Sequence, residues 1–513
     1  MKKTALIYLL VCLALTIHAQ PGTLLSAKKI GVDNNFQFFD TLSSINRFGY
    51  SVCNIGDLNG DGITDIAVGA KGSSPSIGYV FILFMDSNGG VKSHTRITKN
   101  ESGLNTSSPN GFNEFGQSIA NLGDIDGDGV VDIAVGNNGF NLSYGGEIYI
   151  LLLNTDGTVK NHSRIASNVG GFAHTITGGQ NFSKSIANIG DIDRDGVVDI
   201  AVGNHRDGDG GNQKGAVYVL FLNTNGTVKK FQKISQTSGG FTDTIYFDGW
   251  FGSSVCSFDK NRFFVSSTKA QSTSGAGAIW LITVDSNGMV QNSKKFTDTT
   301  LGFNDSIISS SLFGSSLAAI GDIDGDLITE IAIGADGYND IGSRTGAVFI
   351  MSFDSNDNIK FNRRFSNSVG NLPFNFQAED RFGWAVSSIG DFNKDKKLDI
   401  IVSAVAENPK GTFNLLFLDG KEHDLSTNKL STNSRSISVY PNPAYSKIKL
   451  AIKGSSIQQA SVQITDISGK TCLSIQNFNL ENEIDVSMLR AGVYFVRLQT
   501  SEGIFQSKLI VQQ

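Results

Sequence analysis

Apolar and polar residues alternate through FGQSIANLGD (115–124), the period of two that marks a strand with two unlike faces. The alternation stops at an acidic stretch and gives way to a second apolar segment, DIAVG (132–136). After a variable loop come a third segment, GEIYILLL (146–153), a tight turn, NTDGT (154–158), and a fourth, VKNHSRI (159–165). The pattern predicts four consecutive strands.

The same order recurs along the chain. A Phe-Gly pair or a near relative stands at Phe48, Phe115, Phe182, Phe251, Phe313 and Phe382, at intervals of 67, 67, 69, 62 and 69 residues. The turn between third and fourth strands repeats as DSNGG (86–90), NTDGT (154–158), NTNGT (223–227) and DSNGM (285–289). Asn-Gly and Asp-Gly supply the positive φ angles of a two-residue hairpin. Six units of four antiparallel strands predict an all-β fold: a six-bladed β-propeller, with seven blades as the alternative count. The sixth unit ends at NLLFL (414–418) without a clear fourth strand, whereas LLSAKKI (24–30) has the fourth-strand pattern of NHSRI (161–165) and KKFQKI (229–234). It is expected to complete blade six and close the ring. The fourth strands also carry Lys92 and Arg96, Lys160 and Arg164, Lys294 and Lys295, and Arg363 and Arg364. On an exposed outer edge, such charges are expected to discourage edge-to-edge pairing.

Composition narrows the compartment. The start, MKKTALIYLLVCLALTIHAQ, joins Lys2 and Lys3 to an apolar run too short for a span and a small-residue exit at Ala19, which predicts a signal peptide over 1–19. No later segment reads as a membrane span. Cys53, Cys256 and Cys472 are too few for a disulfide scaffold. The first two occupy a first-strand slot filled elsewhere by Ala120, Ala187, Ala318 and Ser387, so they read as small packing residues rather than a bridge. A net charge of −6 spread through the chain argues against nucleic-acid binding. The 58 glycines and 7 prolines suit short strands joined by many turns.

The acidic stretches carry the chemistry. Their spacing is D-x-[DN]-x-D-x-x-x-[DE]. Blade one has Asp57, Asn59, Asp61, Ile63 and Asp65; blade two has Asp124, Asp126, Asp128, Val130 and Asp132. Blade three has Asp191, Asp193, Asp195, Val197 and Asp199; blade five has Asp322, Asp324, Asp326, Ile328 and Glu330. Blade six has Asp391, Asn393, Asp395, Lys397 and Asp399. Positions 1, 3, 5 and 9 offer side-chain oxygens and position 7 a backbone carbonyl. Carboxylates so close repel one another unless a cation lies between them. Hard oxygen ligands in that number suit Ca²⁺ far better than Zn²⁺. An EF-hand would place its Glu at position 12, where Val68, Val135 or Val202 stands here, and both flanks read as strands. The expectation is a set of β-hairpin calcium loops, up to five in number. In blade four the loop shrinks to DKNR (259–262), in step with the repeat of 62, and no site is expected. That contrast favours a structural clip over a catalytic ion, and millimolar extracellular calcium would make binding constitutive. Leu327 and Lys396 replace a glycine at position 6; if that position needs positive φ, their sites should be weaker.

The combination of FG, GD-[IL]-[DN]-x-D-G and D-I-A-V-G over residues 24–418 resembles the FG-GAP repeats of integrin α-subunit propellers and their bacterial relatives. Integrin propellers have seven such blades against the six counted here; blade three has Phe182-Ser183 in place of FG, and blade four lacks the metal loop. The propeller is expected over 20–420, followed by a polar linker, KEHDLSTNKLSTNSRS (421–436). Residues 437–513, with YPNPA, DISGK, AGVYFVRL and a terminal KLIV run, resemble the C-terminal sorting domain of type IX secretion cargo in the Bacteroidota. The resemblance implies a small β-sandwich recognised by the secretion machinery, hence a protein exported across the outer membrane and either released or anchored at the surface.

In an up-and-down blade the acidic hairpins share one face with the short regular turns. The opposite face carries the variable loops, among them 137–146, 204–215, 238–250 and 335–346. Long, varied loops on a rigid ring are where binding concentrates. Asp207, Asp209, Tyr144, Tyr338, Arg344 and Trp250 are candidates for contacts. No G-x-S-x-G, H-E-x-x-H or Cys/His cluster is present, and no catalytic residue is assigned. The expectation is a secreted or surface-anchored recognition or adhesion module for an extracellular glycan or protein. The alternatives are a glycosidase or lyase built on the propeller and a structural surface or matrix component.

Overall fold

A computed structural model describes residues 20–31, 46–72, 77–106, 111–138, 145–270, 276–407 and 411–422. Towards the C-terminus it describes 437–442, 444–452, 459–466, 471–480, 482–489, 492–500 and 503–512. The expected signal peptide, Tyr144 and most of the expected linker lie outside the described residues. The chain divides into two compact units, Met1–His423 and Asp424–Gln513.

Every regular element of the first unit is a strand, and the strands form six four-stranded antiparallel sheets among the described residues. In blade two, Phe115–Gly123 pairs with Asp132–Asn137, which pairs with Glu147–Leu153, which pairs with Val159–Ala166. Blades one, three, four and five (47–97, 182–234, 251–296 and 317–365) repeat this order. Blade six consists of Phe382–Gly390, Asp399–Ala404 and Thr412–Leu418, with Leu24–Ile30 as its outer strand. There Ala27 faces Leu416 and Ile30 faces Phe413.

Packing closes the ring. Asp132–Asn137 and Glu147–Leu153 are buried at every position, because neighbouring blades cover both of their faces. An apolar cluster fills each of the six interfaces, and Phe81, Leu83, Phe413 and Leu415 belong to the one joining blades one and six. The Phe-Gly pair is the device that makes this fit. Phe115 is fully buried, and Gly116, at φ 83°, brings its backbone against the second strand of blade one. A Cβ on Gly69 would lie 1.9 Å from the Gly116 carbonyl oxygen, and one on Gly116 would lie 2.4 Å from Tyr79 O, so glycine at both places lets the blades approach this closely. Ser51 Oγ donates to that same oxygen at 2.8 Å. Ser183 stands at the glycine position in blade three and takes the left-handed conformation, φ 73°.

On the outside, fourth strands hold the third-to-fourth hairpin of the next blade. Thr95 donates to Asp156 O (2.6 Å), Ser163 to Gly226 O (2.6 Å) and Lys294 to Asn356 O (3.2 Å). Lys28, on the closing strand of blade six, likewise donates to Asn88 O of blade one at 2.6 Å. Cys53 and Cys256 are free and buried, and burial pushes both thiols up to about 12.

The second unit is a small β domain. One sheet contains Ile437–Tyr440, Lys447–Ile452 and Ile484–Asp485; the other contains Thr471–Asn479, Gln459–Asp466, Gly492–Thr500 and Gly503–Val511. Val439, Leu450, Ile464, Val496 and Leu509 from the two sheets share one apolar core.

Candidate functional site

Among the described residues, the acidic hairpins and the opposite mouth of the central channel each gather polar chemistry. In blade two, one carboxylate oxygen from each of Asp124, Asp126 and Asp132 lies within 4.8 Å of the others. Asp191, Asp193 and Asp199 do the same in blade three, and Asp322, Asp324 and Glu330 in blade five. Positions 1, 3 and 9 therefore converge. Position 1 organises the turn: Asp124 accepts amide hydrogens from Gly127, Asp128 and Gly129 at 2.7–2.9 Å. Position 9 is buried and ties the loop to the blade. Asp132 accepts from Ile125 N (3.1 Å) and from Leu153 N (2.9 Å) at the end of the third strand. Asp65, Asp199 and Asp399 make the equivalent pair of bonds.

These loops fit a divalent cation on an observation independent of their spacing. Oδ1 of Asp126, Asp193 and Asp324 and Oε1 of Glu330 are buried and meet no hydrogen-bond donor. Asp391 Oδ1 in blade six is in the same condition. Leaving carboxylate oxygens buried and unpaired is costly, and a hard cation is the partner that would satisfy several at once. Burial pushes the position-9 carboxyls up, to about 6 for Asp132 and Asp199 and about 8 for Glu330.

Position 5 faces a different partner. Asp128 and Asp126 both pair with Lys160, and Asp195 and Asp193 with Lys229. Asp61 pairs with Lys92 at 2.6 Å, and Asp326 with Lys360 at 2.6 Å. The lysine holds Asp61, Asp128 and Asp195 below the usual carboxylate range. Several fourth-strand basic residues thus serve the acidic loops or neighbouring carboxylates, as Arg164 does with Glu147 (2.9 Å), rather than only guarding an edge.

Blade four replaces the loop with a two-residue turn between Asp259 and Arg262. The Arg262 guanidinium bonds Asp259 and also both oxygens of Asp357 in the hairpin of blade five, at 2.8 and 2.9 Å. An ion pair occupies the position that acidic loops hold elsewhere.

At the other end of the axis, blades three to six surround a cavity of about 400 Å³. Two register positions build most of it: the residue before the FG phenylalanine (Trp250, Leu312, Arg381) and the second residue after it (Lys184, Ser253, Ser315, Trp384). The residue just after the second strand adds His205, Thr268 and Asp336. Lys269 Nζ lies 3.5 Å from the centre of the Trp250 ring, and Lys184 Nζ lies 5.8 Å from that of Trp384. His205 is buried edge-on to Trp250; burial and then the charge of Lys184 hold its imidazole well below the ordinary histidine value, hence neutral.

Of the candidate contact residues, Trp250 and Arg344 line this cavity. Asp207 and Asp209 do not: Asp207 bonds Tyr218 Oη (3.0 Å) and Lys233 (2.9 Å), and Asp209 bonds Ser235 (2.6 Å) and Thr237 (2.5 Å). Tyr338 is buried against Arg364. Lys184, His205, Lys269, Asp336, Arg381 and Trp384 were not singled out by spacing. The signal available was the FG register itself, read for the positions that differ between blades.

An all-β ring of FG-bearing blades with acidic hairpins, joined to a second β domain, defines the class. The FG-GAP repeat family matches residues 48–83, 115–151 and 185–220, and the secretion system C-terminal sorting domain family matches 438–512. Integrin alpha-4 of Xenopus laevis is 34% identical over 161 residues, 30% of this chain and 14% of that protein. Integrin alpha-PS5 of Drosophila melanogaster is 36% identical over 123 residues, 24% of this chain and 12% of that protein. Integrin alpha-V of Gallus gallus is 34% identical over 170 residues, again 30% and 14%. The chain thus spans only a small part of the length of these relatives. It carries FG-GAP repeats homologous to a segment of integrin alpha chains, and its sorting domain directs it across the outer membrane to the surface or the medium. Among the described residues no helix is long and apolar enough to cross a membrane.

Proposed function

We propose that the protein is an extracellular recognition or adhesion module whose propeller is held by calcium and whose variable-loop face binds a glycan or protein. Calcium would be held by Asp124, Asp126 and Asp132 and by the equivalent residues of blades one, three, five and six, with blade four having none. Its contribution there is to neutralise crowded carboxylates and fix a long hairpin in one shape. Support comes from the orphaned carboxylate oxygens on that face.

The observation that carries the binding reading is the cavity at the opposite mouth, where two indoles and four cationic side chains from four blades converge. A glycosidase would need two carboxylates facing one space. Asp336 is the one carboxylate lining this cavity among the described residues, which favours binding over hydrolysis there. The test is to incubate the full chain with a panel of polysaccharides and extracellular proteins, with calcium and with chelator. Both retention and product release are assayed. Retention without turnover, weakened by chelation, is the expected result; released oligosaccharide or peptide would replace this reading with an enzymatic one.

A further inference from the structure

Resting on that recognition reading, we propose that the mouth cavity binds a carboxylate-bearing sugar ring, a uronic acid residue of an acidic polysaccharide.

The charge is the first reason. Lys184, Lys269, Arg344 and Arg381 line the cavity against the single carboxylate of Asp336. Neither Lys184 nor Lys269 has an ion-pair partner among the described residues; each is held over an indole instead. Arg344 and Arg381 share Glu379 at 3.7 and 3.4 Å, and Arg381 also lies 3.8 Å from Asp336. Four cations thus face one carboxylate in a partly desolvated space, and the two lysines are not spent in ion pairs among the described residues, the arrangement that attracts an anion.

The second reason is independent of charge. His205 Nδ1 and Asp336 Oδ2 are buried in the cavity wall and make no hydrogen bond, the Arg381 guanidinium standing off Asp336 Oδ2 at 3.8 Å. Buried polar atoms left unpaired on a cavity wall mark where a ligand's polar groups belong. Separate hydroxyls of a sugar can serve them, one donating to the carboxylate and another pairing with the imidazole. Ser310 and Thr268 add hydroxyls to the same wall.

Ring chemistry decides the class. Trp250 and Trp384 add apolar surface to the wall against which a pyranose can pack, while the lysines and arginines held over and beside them meet its carboxylate. A volume of about 400 Å³ falls within the range of small-ligand pockets, roughly 300–1,000 Å³. Strand addition by a peptide is disfavoured, because the inner strand edges face a channel space of only about 100 Å³. An acidic side chain reaching the cationic cluster is the competitor that the triglutamate arm below tests.

Two of the three tryptophans line the cavity, whereas Trp280 is buried in blade four, so ligand entry is readable as a change in indole emission. The full chain in calcium would be titrated with galacturonate and glucuronate oligomers, with neutral glucose oligomers, with sodium sulfate and with a triglutamate peptide. Uronate oligomers are expected to change the emission and bind by calorimetry. Lys184→Gln and Lys269→Gln are each expected to weaken that binding at least tenfold while circular dichroism and melting temperature stay unchanged. Binding of uronates that survives both substitutions would overturn the assignment, as would triglutamate or sulfate binding equal to or tighter than that of uronates. If a polysaccharide is retained but neither substitution matters, this cavity is wrong and the recognition reading stands. If nothing in the wider panel is retained, the recognition reading itself fails.

Discussion

The carboxylate at position 9 of each acidic hairpin has two tasks. It fastens the loop through amide hydrogens, one from the loop and one from the end of the third strand for Asp65, Asp132, Asp199 and Asp399 and that of Ile323 for Glu330, and it turns an oxygen toward the acidic group. Burial pushes it up, to about 6 for Asp65, Asp132 and Asp199, about 7 for Asp399 and about 8 for Glu330. A raised value means that the folded chain holds the proton more tightly than the unfolded one. The stabilisation from these protons is complete below the ordinary carboxylate range and is lost as pH rises through about 6 to 8. A bound cation takes over where the proton leaves. The gain in melting temperature from calcium over chelator is therefore expected to widen between about pH 5 and pH 8. Melting curves in both conditions across that interval check it, and a gain independent of pH would refute it. A second residue-scale effect lies at position 6, where Leu327 and Lys396 take φ 72° and 70° beside the glycines of the other blades. Leu327 is 80% exposed, so removing its side chain sacrifices little burial. Leu327→Gly is expected to stabilise the protein by roughly 0.5–1 kcal/mol, read from the denaturant midpoint in calcium.

At the scale of the element, a blade can brace its first hairpin in two ways. Five blades use a long acidic loop, and blade four uses Arg262 clamped between Asp259 and Asp357. Arg262→Ala would leave two half-exposed carboxylates without their donor and is expected to cost about 1–3 kcal/mol. Because this clamp contains no acidic loop, the loss should be the same in calcium and in chelator. Equilibrium unfolding of the variant in both solutions measures that. A loss seen in calcium alone would mean that blade four is coupled to the metal-bearing blades. The shortened repeat made this blade legible in the sequence, since a deletion confined to one hairpin leaves the apolar register of the strands untouched. The lysine partners of the loops were less legible, because a basic residue on an outer strand also suits an unpaired edge, and only the fold shows which carboxylate it meets.

For the whole molecule, repetition is what made the fold readable. Phe115 and its equivalents recur because each inter-blade interface poses the same packing problem. The mouth cavity was hidden for the converse reason: it is assembled from positions where the blades differ, such as Lys184, Ser253, Ser315 and Trp384. Ring closure carries the last expectation. Deleting residues 24–30 would strip blade six of its outer strand and expose the edge of Thr412–Leu418. The deletion is expected to lower the melting temperature by roughly 5 °C, since it removes several kcal/mol of pairing and burial from a unit of this size, and to promote association through the bare edge. Calorimetry with light scattering would show this, and an unchanged melt would mean that the strand is dispensable.

The pairing of Leu24 with Leu418 joins positions nearly four hundred residues apart. A translocating chain presents the strand around Leu24 long before its partner arrives, so that strand must wait through the synthesis of every blade. The ring then functions as a completeness check. A chain interrupted anywhere before Leu418 keeps an unmatched strand at one end and an open interface at the other, and only a passenger that reaches Leu418 can become a closed ring.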